Sequence, residues 1–140
     1  MELRRVVVTG LGAITPLGNN VSDYWDALCK GNNGAGDITR FDCSKYRTRI
    51  ACEVKNFDPL QFFDRKEARK LDLYSQYALV ASDEAIADSE INKDNTDFDN
   101  VGVVFSSGIG GINSFHEEVS AYATGDGTPR FNPFIIPKLL

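Results

Sequence analysis

The side chains best suited to nucleophilic or acid–base chemistry near neutral pH are three thiols and one imidazole: Cys29, Cys43, Cys52 and His116. The cysteines are odd in number and form no Cys-x-x-Cys pair, so their spacing predicts neither a disulfide framework nor a zinc site. Cys29 falls near the end of a predicted helix, where the dipole opposes a thiolate, whereas Cys43 lies in a loop and Cys52 in a predicted strand. His116 is interpreted as a surface residue of another helix. We therefore predict no catalytic residue and no metal ligand in this chain.

Two glycine-rich turns each follow a predicted apolar strand. The first follows the β-branched run Arg5–Thr9, and the second, Ser106–Gly111, follows Val101–Phe105. Neither matches a dinucleotide fingerprint, because Thr15 and Asn113 occupy the places of the third glycine, and the Gly-Lys-Ser/Thr end of a P-loop is absent. Nucleotide binding is therefore disfavoured. The turns could line a ligand crevice or serve only the local backbone geometry, and position alone does not separate these alternatives.

Four cations gather at the start of the strongest predicted helix: Arg65, Lys66, Arg69 and Lys70. Like charges four residues apart destabilise a helix by roughly 0.2–0.5 kcal/mol per pair, and each cation near a helix N-terminus opposes the dipole by about 0.3–1 kcal/mol. In a chain of net charge −5, this local patch fits an anionic partner, and a solvated charged turn is the alternative. The same net charge disfavours general binding to nucleic acid or an anionic membrane.

The rest of the pattern alternates helices with apolar strands. Helices are predicted over Ser22–Lys30 with Ser22 as its cap, for a short turn from Asp58 and Pro59, from Asp64 to Ala85 as one long helix with Asp64 as its cap, and over Ile112–Tyr122. Arg49–Val54 is predicted to be an edge strand. Apolar strands that lack clear alternation and are separated by helices indicate an α/β fold with a parallel sheet covered on both faces.

The residues at each end of the chain lead to a separate prediction. Phe131–Leu140 is dominated by apolar residues and proline, and leaving each large side chain in water would forgo roughly 1.5–3 kcal/mol. We expect this tail to pack against further polypeptide or a partner, with closure of a small core as the alternative. Residues 1–5 lack the apolar stretch and cleavage site of a signal peptide, so we expect a cytoplasmic protein. The composition, 42% hydrophobic and 25% charged over 140 residues, is that of a soluble globular protein.

Four motifs stand in order across nearly the whole chain: RRVVVTGLGAITPLGNNVSDYWDAL from Arg4, RKEARKLD from Arg65, GVVFSSGIGG from Gly102 and NPFIIP from Asn132. Together they resemble the beta-ketoacyl-acyl-carrier-protein synthases, most closely the type II elongating condensing enzymes. The resemblance implies a thiolase-like layered αβαβα sandwich, of which residues 1–140 would be an incomplete N-terminal part, most of the first half. It also implies a homodimer for the intact enzyme, with no metal or redox cofactor.

The resemblance assigns a partner to the basic cluster and a gate to the second glycine turn. Lys66, Arg69 and Lys70 match positions that meet the acidic acyl carrier protein, whose phosphopantetheine arm delivers the substrate. Ile109, next to Gly108, matches the residue that gates the acyl pocket.

The tail also receives a role from the resemblance. Ile135 and Ile136 match positions that reach across the dimer toward the partner subunit's pocket. Ordinary core packing is the alternative for these isoleucines and for Ile109.

The implied reaction is the decarboxylative condensation of malonyl-carrier protein with an acyl thioester in fatty acid biosynthesis, an acyltransferase reaction. Because the family's nucleophilic cysteine and two histidines have no counterpart in this sequence, we expect the chain alone to be inactive. The alternatives are a polyketide ketosynthase and a non-catalytic chain that binds carrier protein or a complementary subunit.

Overall fold

The computed structural model of the chain describes residues 4–139. Within them lie five α-helices and one two-stranded sheet: α1 (Val21–Cys29), β1 (Gly36–Asp37), β2 (Ile50–Ala51), α2 (Arg65–Ala68), α3 (Leu73–Ser89), α4 (Ile112–Thr124) and α5 (Ile135–Leu139). Short 3-10 turns occur at Pro59–Gln61 and Phe98–Asn100. The residues divide into two compact units, the first made of residues 4–57 and Val80–Asp97 and the second of Asp58–Leu79 and residues 98–139. Predictions that concern Met1, Glu2, Leu3 and Leu140 fall outside the described residues.

Helix α1 is capped by Asn20 rather than by Ser22. The Asn20 backbone is extended, with φ −160° and ψ 168°, and its Oδ1 accepts a hydrogen bond from the Asp23 amide at 2.8 Å. Ser22 already lies inside the helix, so the predicted cap was wrong by two residues, because asparagine is an equally good cap and stands where the chain is still extended. After Cys29 the helix stops at Gly31, whose φ of 68° is the left-handed conformation typical of a helix end.

The two strands form a short antiparallel pair. Gly36 stands opposite Ala51 and Asp37 opposite Ile50, so the predicted edge strand is confirmed over Ile50–Ala51. Cys52 follows directly after the paired residues.

The parallel strands predicted at Arg5–Thr9 and Val101–Phe105 are absent from the described residues, and that prediction was wrong. A strand exists only where a neighbour supplies the opposing N–H and C=O groups of the ladder, and the sheet among residues 4–139 contains β1 and β2 alone. The apolar side chains remain exposed, with Val6 at 88% and Val104 at 96%. An apolar run in the sequence indicates that its burial is favourable, but the run forms a strand only if a second strand is present to pair with it.

The predicted long helix consists of two helices, α2 and α3, with residues 69–72 between them. The cap at Asp64 is confirmed, since its Oδ1 accepts from the amides of Lys66 at 2.7 Å and Glu67 at 2.8 Å. Asp72 begins the second helix, because its Oδ1 accepts from the Tyr74 amide at 3.2 Å. A second capping residue inside the periodic pattern therefore explains the break.

In the first unit, carboxylates of α3 hold the backbone of the first glycine turn. Glu84 accepts hydrogen bonds from the amides of Ala13 and Val21, each at 2.9 Å. Asp88 accepts from the Leu11 amide at 2.9 Å. These amides bind the chain's own carboxylates, which agrees with the sequence argument against a phosphate site at this turn.

Glycine is required where this turn crosses α3. A Cβ atom at Gly10 would collide with the Ala85 carbonyl oxygen, and one at Gly12 would collide with that of Ala81. The first glycine turn therefore serves close packing of the backbone on a helix. Across residues 4–139, no helix combines the length and apolar character needed to cross a membrane.

Candidate functional site

All seven residues assigned to a site from the sequence lie in the second unit: Lys66, Arg69, Lys70, Gly108, Ile109, Ile135 and Ile136. They belong to three segments, which are α2 with the residues that follow it, the second glycine turn Ser106–Gly111, and α5. We call the second of these the 106–111 turn. The contacts described next join these segments within the unit.

The basic cluster, Lys66, Arg69 and Lys70, is exposed. Helix α2 spans only four residues, and its Asp64 cap partly offsets the cations. Hydrogen bonds from the backbone amides of Glu67 and Lys66, and to a lesser extent the nearby charge of Lys70, lower the pKa of the Asp64 carboxyl. The cap is therefore anionic at neutral pH and lies at the positive end of the helix dipole.

Lys70 also contacts the segment that leads into α5. Its Nζ lies 5.7 Å from the centroid of the Phe134 ring, within the range of a cation–π interaction. The Phe134 amide donates to Asn132 Oδ1 at 2.9 Å, and the Ile135 amide donates to the Asn132 carbonyl oxygen at 2.9 Å. The cluster and the start of α5 are thus in direct contact.

The 106–111 turn presents Ile109 on an open backbone. The Ile109 side chain is 70% exposed, and a Cβ atom at Gly108 would meet nothing within 4 Å. The Gly110 amide donates to Ser107 Oγ at 3.1 Å, and Gly110 has a φ of 73°. A side chain at the apex of a turn framed by glycines has room to change rotamer, as a gate requires.

The carboxyl end of α5 packs directly on this turn. A Cβ atom at Gly110 would collide with the Leu139 carbonyl oxygen, and one at Gly111 would collide with that of Lys138. Ile135 is half-buried, whereas Ile136 is 60% exposed. The structure therefore brings the 106–111 turn and the helix that carries both isoleucines together.

Helix α5 was not predicted from the sequence, which indicated only that the apolar, proline-containing tail should pack against other polypeptide. Proline is tolerated in the first turn of a helix, where its missing N–H needs no partner. The available signal was Asn132, an Asx residue three positions before the first helical residue, Ile135.

Another contact missed at the sequence level joins α4 to the start of α3. Ser114 Oγ donates to Asp72 Oδ2 at 2.6 Å across 42 positions of sequence. In addition, Gln76 is buried and its Nε2 donates to the Ala68 carbonyl oxygen at 2.9 Å, which ties α3 to the end of α2. No local pattern signals either pair.

A separate cavity of about 350 Å³ opens at the carboxyl end of α4. Its lining includes the aromatic pair Tyr122 and Phe131, with ring centroids 5.4 Å apart, and the exposed ion pair of Arg130 and Asp126 at 3.1 Å. Hydrogen bonds from Thr128 lower the pKa of the Asp126 carboxyl. The residues assigned to a site from the sequence do not line this cavity.

Cys29 is the last residue of α1 and Cys43 lies outside the helices and strands, as predicted, whereas Cys52 follows β2 instead of lying within it. Cys29 and Cys52 are exposed, Cys43 is half-buried, and all three are free. His116 is exposed on α4. Within the described part of the chain, no three His, Cys, Asp or Glu side chains converge as a metal site would need.

The sequence matches the family described as Beta-ketoacyl synthase, N-terminal domain, over residues 3–138. The chain belongs to the beta-ketoacyl synthase family. The 3-oxoacyl-[acyl-carrier-protein] synthase 2 of Synechocystis sp. is 45% identical over 140 residues, which are 100% of this chain and 33% of that protein. The enzyme of the same name from Coxiella burnetii is 45% identical over 137 residues, 98% of this chain and 33% of the relative. The chain thus spans about a third of the length of these relatives.

Solved structures agree with this assignment. The ishigamide ketosynthase/chain length factor matches with a TM-score of 0.77 and 26% identity over 98% of this chain and 34% of its own. A beta-ketoacyl synthase from Burkholderia phymatum matches with a TM-score of 0.74 and 25% identity, over 99% of this chain and 34% of its own. A type II PKS acyl-carrier protein in complex with its ketosynthase matches with a TM-score of 0.72 and 25% identity, over 96% of this chain and 34% of its own. The predicted thiolase-like α/β fold and the family resemblance are confirmed.

Proposed function

We propose that this beta-ketoacyl synthase sequence forms the N-terminal part of a 3-oxoacyl-acyl-carrier-protein synthase of fatty acid biosynthesis. The enzyme accepts an acyl group as a thioester, releases CO₂ from malonyl-carrier protein and joins the resulting carbanion to the acyl carbonyl. The observation that carries the proposal is the joining of the basic cluster, the 106–111 turn and α5 in one unit, with Lys70 and Phe134 in contact. Similarity to 3-oxoacyl-[acyl-carrier-protein] synthase 2 over the whole chain supports it.

In this proposal, Lys66, Arg69 and Lys70 bind the acidic acyl carrier protein. Their exposure leaves the charges available to a partner, and opposite charge mainly increases the rate of encounter and weakens with salt. The partner's phosphopantetheine arm would carry the substrate, so the proposed enzyme needs no metal or redox cofactor.

The 106–111 turn and α5 form a wall of the acyl site in the same proposal. Gly108 gives Ile109 the room to act as a gate, while Ile135 and Ile136 extend toward the acyl pocket of a second subunit. The packing of the α5 carbonyl oxygens on Gly110 and Gly111 supports this assignment. We propose a cytoplasmic homodimer as the working form.

The 140-residue chain alone is proposed to be inactive. Decarboxylative condensation needs a thiolate that holds the acyl group, typically at a helix N-terminus. Cys29 lies at the opposite end of α1, and Cys43 and Cys52 lie outside the helices.

A polyketide ketosynthase is the second candidate, because one of the matching structures is a type II PKS acyl-carrier protein in complex with its ketosynthase bound to the hexaketide. The choice of acyl substrate separates the two candidates. A fatty acid enzyme accepts saturated acyl-carrier protein, whereas a polyketide enzyme favours poly-β-keto chains. A chain that only binds carrier protein is the non-catalytic alternative.

A chimera tests the proposal. Residues 3–138 replace the matching region of the Synechocystis synthase, and condensation of saturated acyl-carrier protein with malonyl-carrier protein is followed by mass spectrometry. We expect product from the chimera and none from the 140-residue chain. A soluble, folded chimera that binds carrier protein but forms no product would contradict the enzymatic proposal and favour the non-catalytic alternative.

A further inference from the structure

The carboxylate of Asp72 lies at the start of two helices. Its Oδ1 accepts from the Tyr74 amide in the first turn of α3 at 3.2 Å. Its Oδ2 accepts from Ser114 Oγ in the first turn of α4 at 2.6 Å. A Cβ atom at Gly111 would lie 2.9 Å from the same Oδ2, so the carboxylate also borders the end of the 106–111 turn.

Helix α4 has no side-chain cap of its own. The residue at its N-cap is Gly111, which offers no side-chain hydrogen bond. A carboxylate beside a helix N-terminus interacts favourably with the helix dipole. Asp72 supplies that charge to α4 from another element.

Holding the first turn of α4 also holds the glycines before it. The Ile112 amide donates to the Gly110 carbonyl oxygen at 2.9 Å, and the Phe115 amide donates to that of Gly111 at 3.0 Å. Ile109 precedes these glycines and is 70% exposed, so the backbone on either side, rather than side-chain packing, sets its position.

The start of α3 is itself fixed to the end of the basic helix. Gln76 is 6% exposed, and its Nε2 donates to the carbonyl oxygens of Ala68 at 2.9 Å and Leu71 at 3.4 Å. The Gln76 amide donates to the Asp72 carbonyl oxygen at 3.0 Å. Asp72 therefore stands between the helix that begins the basic cluster and the turn that carries Ile109.

We propose that Asp72 is a positioning residue of the acyl site, which fixes the 106–111 turn through Ser114 and thereby limits the length of acyl chain that passes Ile109. The inference rests on the proposed gating role of Ile109. It assigns this function to a side chain outside the residues that we assign to the acyl pocket and to carrier-protein binding.

Amide hydrogen exchange of the 140-residue chain tests the positioning directly. Asp72→Ala and Ser114→Ala should each speed exchange at Gly110, Gly111 and Ile112 by at least about tenfold, the lower end of the range that corresponds to one charge-assisted hydrogen bond. Ser114→Ala leaves the Asp72 contact with α3 in place, so it isolates the link to α4 if Asp72→Ala fails to fold.

Two further variants separate positioning from a general loss of charge. Asp72→Asn keeps an acceptor for Ser114 but removes the charge, so exchange should be slower than in Asp72→Ala and faster than in wild type. Glu117→Ala removes a negative charge from the exposed face of α4 and should leave exchange in the turn unchanged. Equal exchange in wild type and Ser114→Ala, or equal acceleration by Glu117→Ala, would overturn the inference.

The chimera described above tests the consequence for acyl length. In it, Ser114→Ala should raise kcat/KM for long acyl chains relative to short ones severalfold, while Asp72→Asn should have a smaller effect. If Ile109→Phe changes the length preference and Ser114→Ala does not, the inference is wrong and the gate stands. If Ile109→Phe also changes nothing, the proposed gate fails and the role of Asp72 in acyl length fails with it.

Discussion

The side chains of Lys66, Arg69 and Lys70 concentrate positive charge at a helix of four residues in a protein of net charge −5. Asp64 lies at the start of that helix, where its carboxylate offsets part of the positive charge. The carboxylate is held there by hydrogen bonds from two backbone amides. Lys70 makes a cation–π contact with Phe134, with its Nζ 5.7 Å from the centroid of the ring. Lys66 and Arg69 are therefore the members of the cluster whose reversal tests partner binding with the least disturbance of α5.

Reversal of two charges should abolish most of the affinity for acyl carrier protein at low salt. We expect Lys66→Glu with Arg69→Glu to weaken binding by at least about tenfold, because an attractive long-range interaction becomes repulsive. The difference should shrink as ionic strength rises and the Debye length shortens. Fluorescence anisotropy with labelled carrier protein at two salt concentrations measures both effects.

The matched control for this experiment is Lys45→Glu with Lys93→Glu. It changes the net charge by the same amount at exposed positions of the first unit. Equal loss of affinity in both double variants would mean that overall charge, not the basic cluster, attracts the partner.

The cap of α2 should respond to acid. The pKa of Asp64 is lowered in the folded chain by hydrogen bonds from the Glu67 and Lys66 amides, so its contribution to stability is complete above the unfolded pKa of about 3.9. That contribution is lost as pH falls from about 4 through the lowered pKa, because protonation favours the uncapped form. NMR shifts of the two amides should report this titration, and in Asp64→Asn, which still caps, they should not titrate.

At the scale of elements, Glu84 holds a glycine-rich connection in the first unit in the way that we propose for Asp72 in the second. One half-buried carboxylate on α3 accepts from the Ala13 and Val21 amides, which belong to the first glycine turn and to the start of α1. Each unit therefore uses an acidic side chain of the same helical region to hold a glycine-rich connection. The connections stay in place without strands of their own among residues 4–139.

Loss of the Glu84 carboxylate should destabilise the first unit. Glu84→Ala removes two hydrogen bonds to a charged acceptor, each worth roughly 1.5–3 kcal/mol, so we expect the free energy of unfolding to fall by about 2–4 kcal/mol after partial solvation of the amides. Urea unfolding followed by circular dichroism measures it. The control is the neighbouring Asp83→Ala, at an exposed position. If Asp83→Ala lowered the free energy of unfolding as much as Glu84→Ala, the two hydrogen bonds of Glu84 would not be the cause.

Sequence predicts best the elements whose signals are local. Helix α4 and the Asp64 cap follow from capping and periodicity within a few residues, and both are confirmed. The errors at Asn20 and Asp72 come from competition between capping residues of similar strength, which only the three-dimensional context decides.

Strand pairing and side-chain contacts between residues far apart in the sequence could not be predicted. The ladder of a strand needs a neighbour, and the bond from Ser114 to Asp72 joins residues 42 positions apart. The seven assigned site residues came from family motifs, and their meeting in the second unit could not be inferred from spacing within any one motif.

At the scale of the whole molecule, large apolar side chains dominate the exposed surface of the extended runs. Val6 is 88% exposed, Val8 79%, Val103 71% and Val104 96%. Among the described residues, the hydrophobic side chains that are buried are those of Ala27 and Val80, and both keep some exposure, 6% and 7%. Exposed apolar surface of this extent favours association, because association removes apolar area from water.

The 140-residue chain should therefore self-associate and bind the dye ANS. We expect light scattering after size-exclusion chromatography to show species larger than 15.5 kDa, and Val6→Lys with Val104→Lys to reduce both their amount and the dye fluorescence. Ser22→Lys with Asn113→Lys adds the same charge at exposed polar positions and should leave association unchanged, because it removes no apolar surface. A wild-type chain that stays monomeric at micromolar concentration without dye binding would show that these side chains are covered in solution.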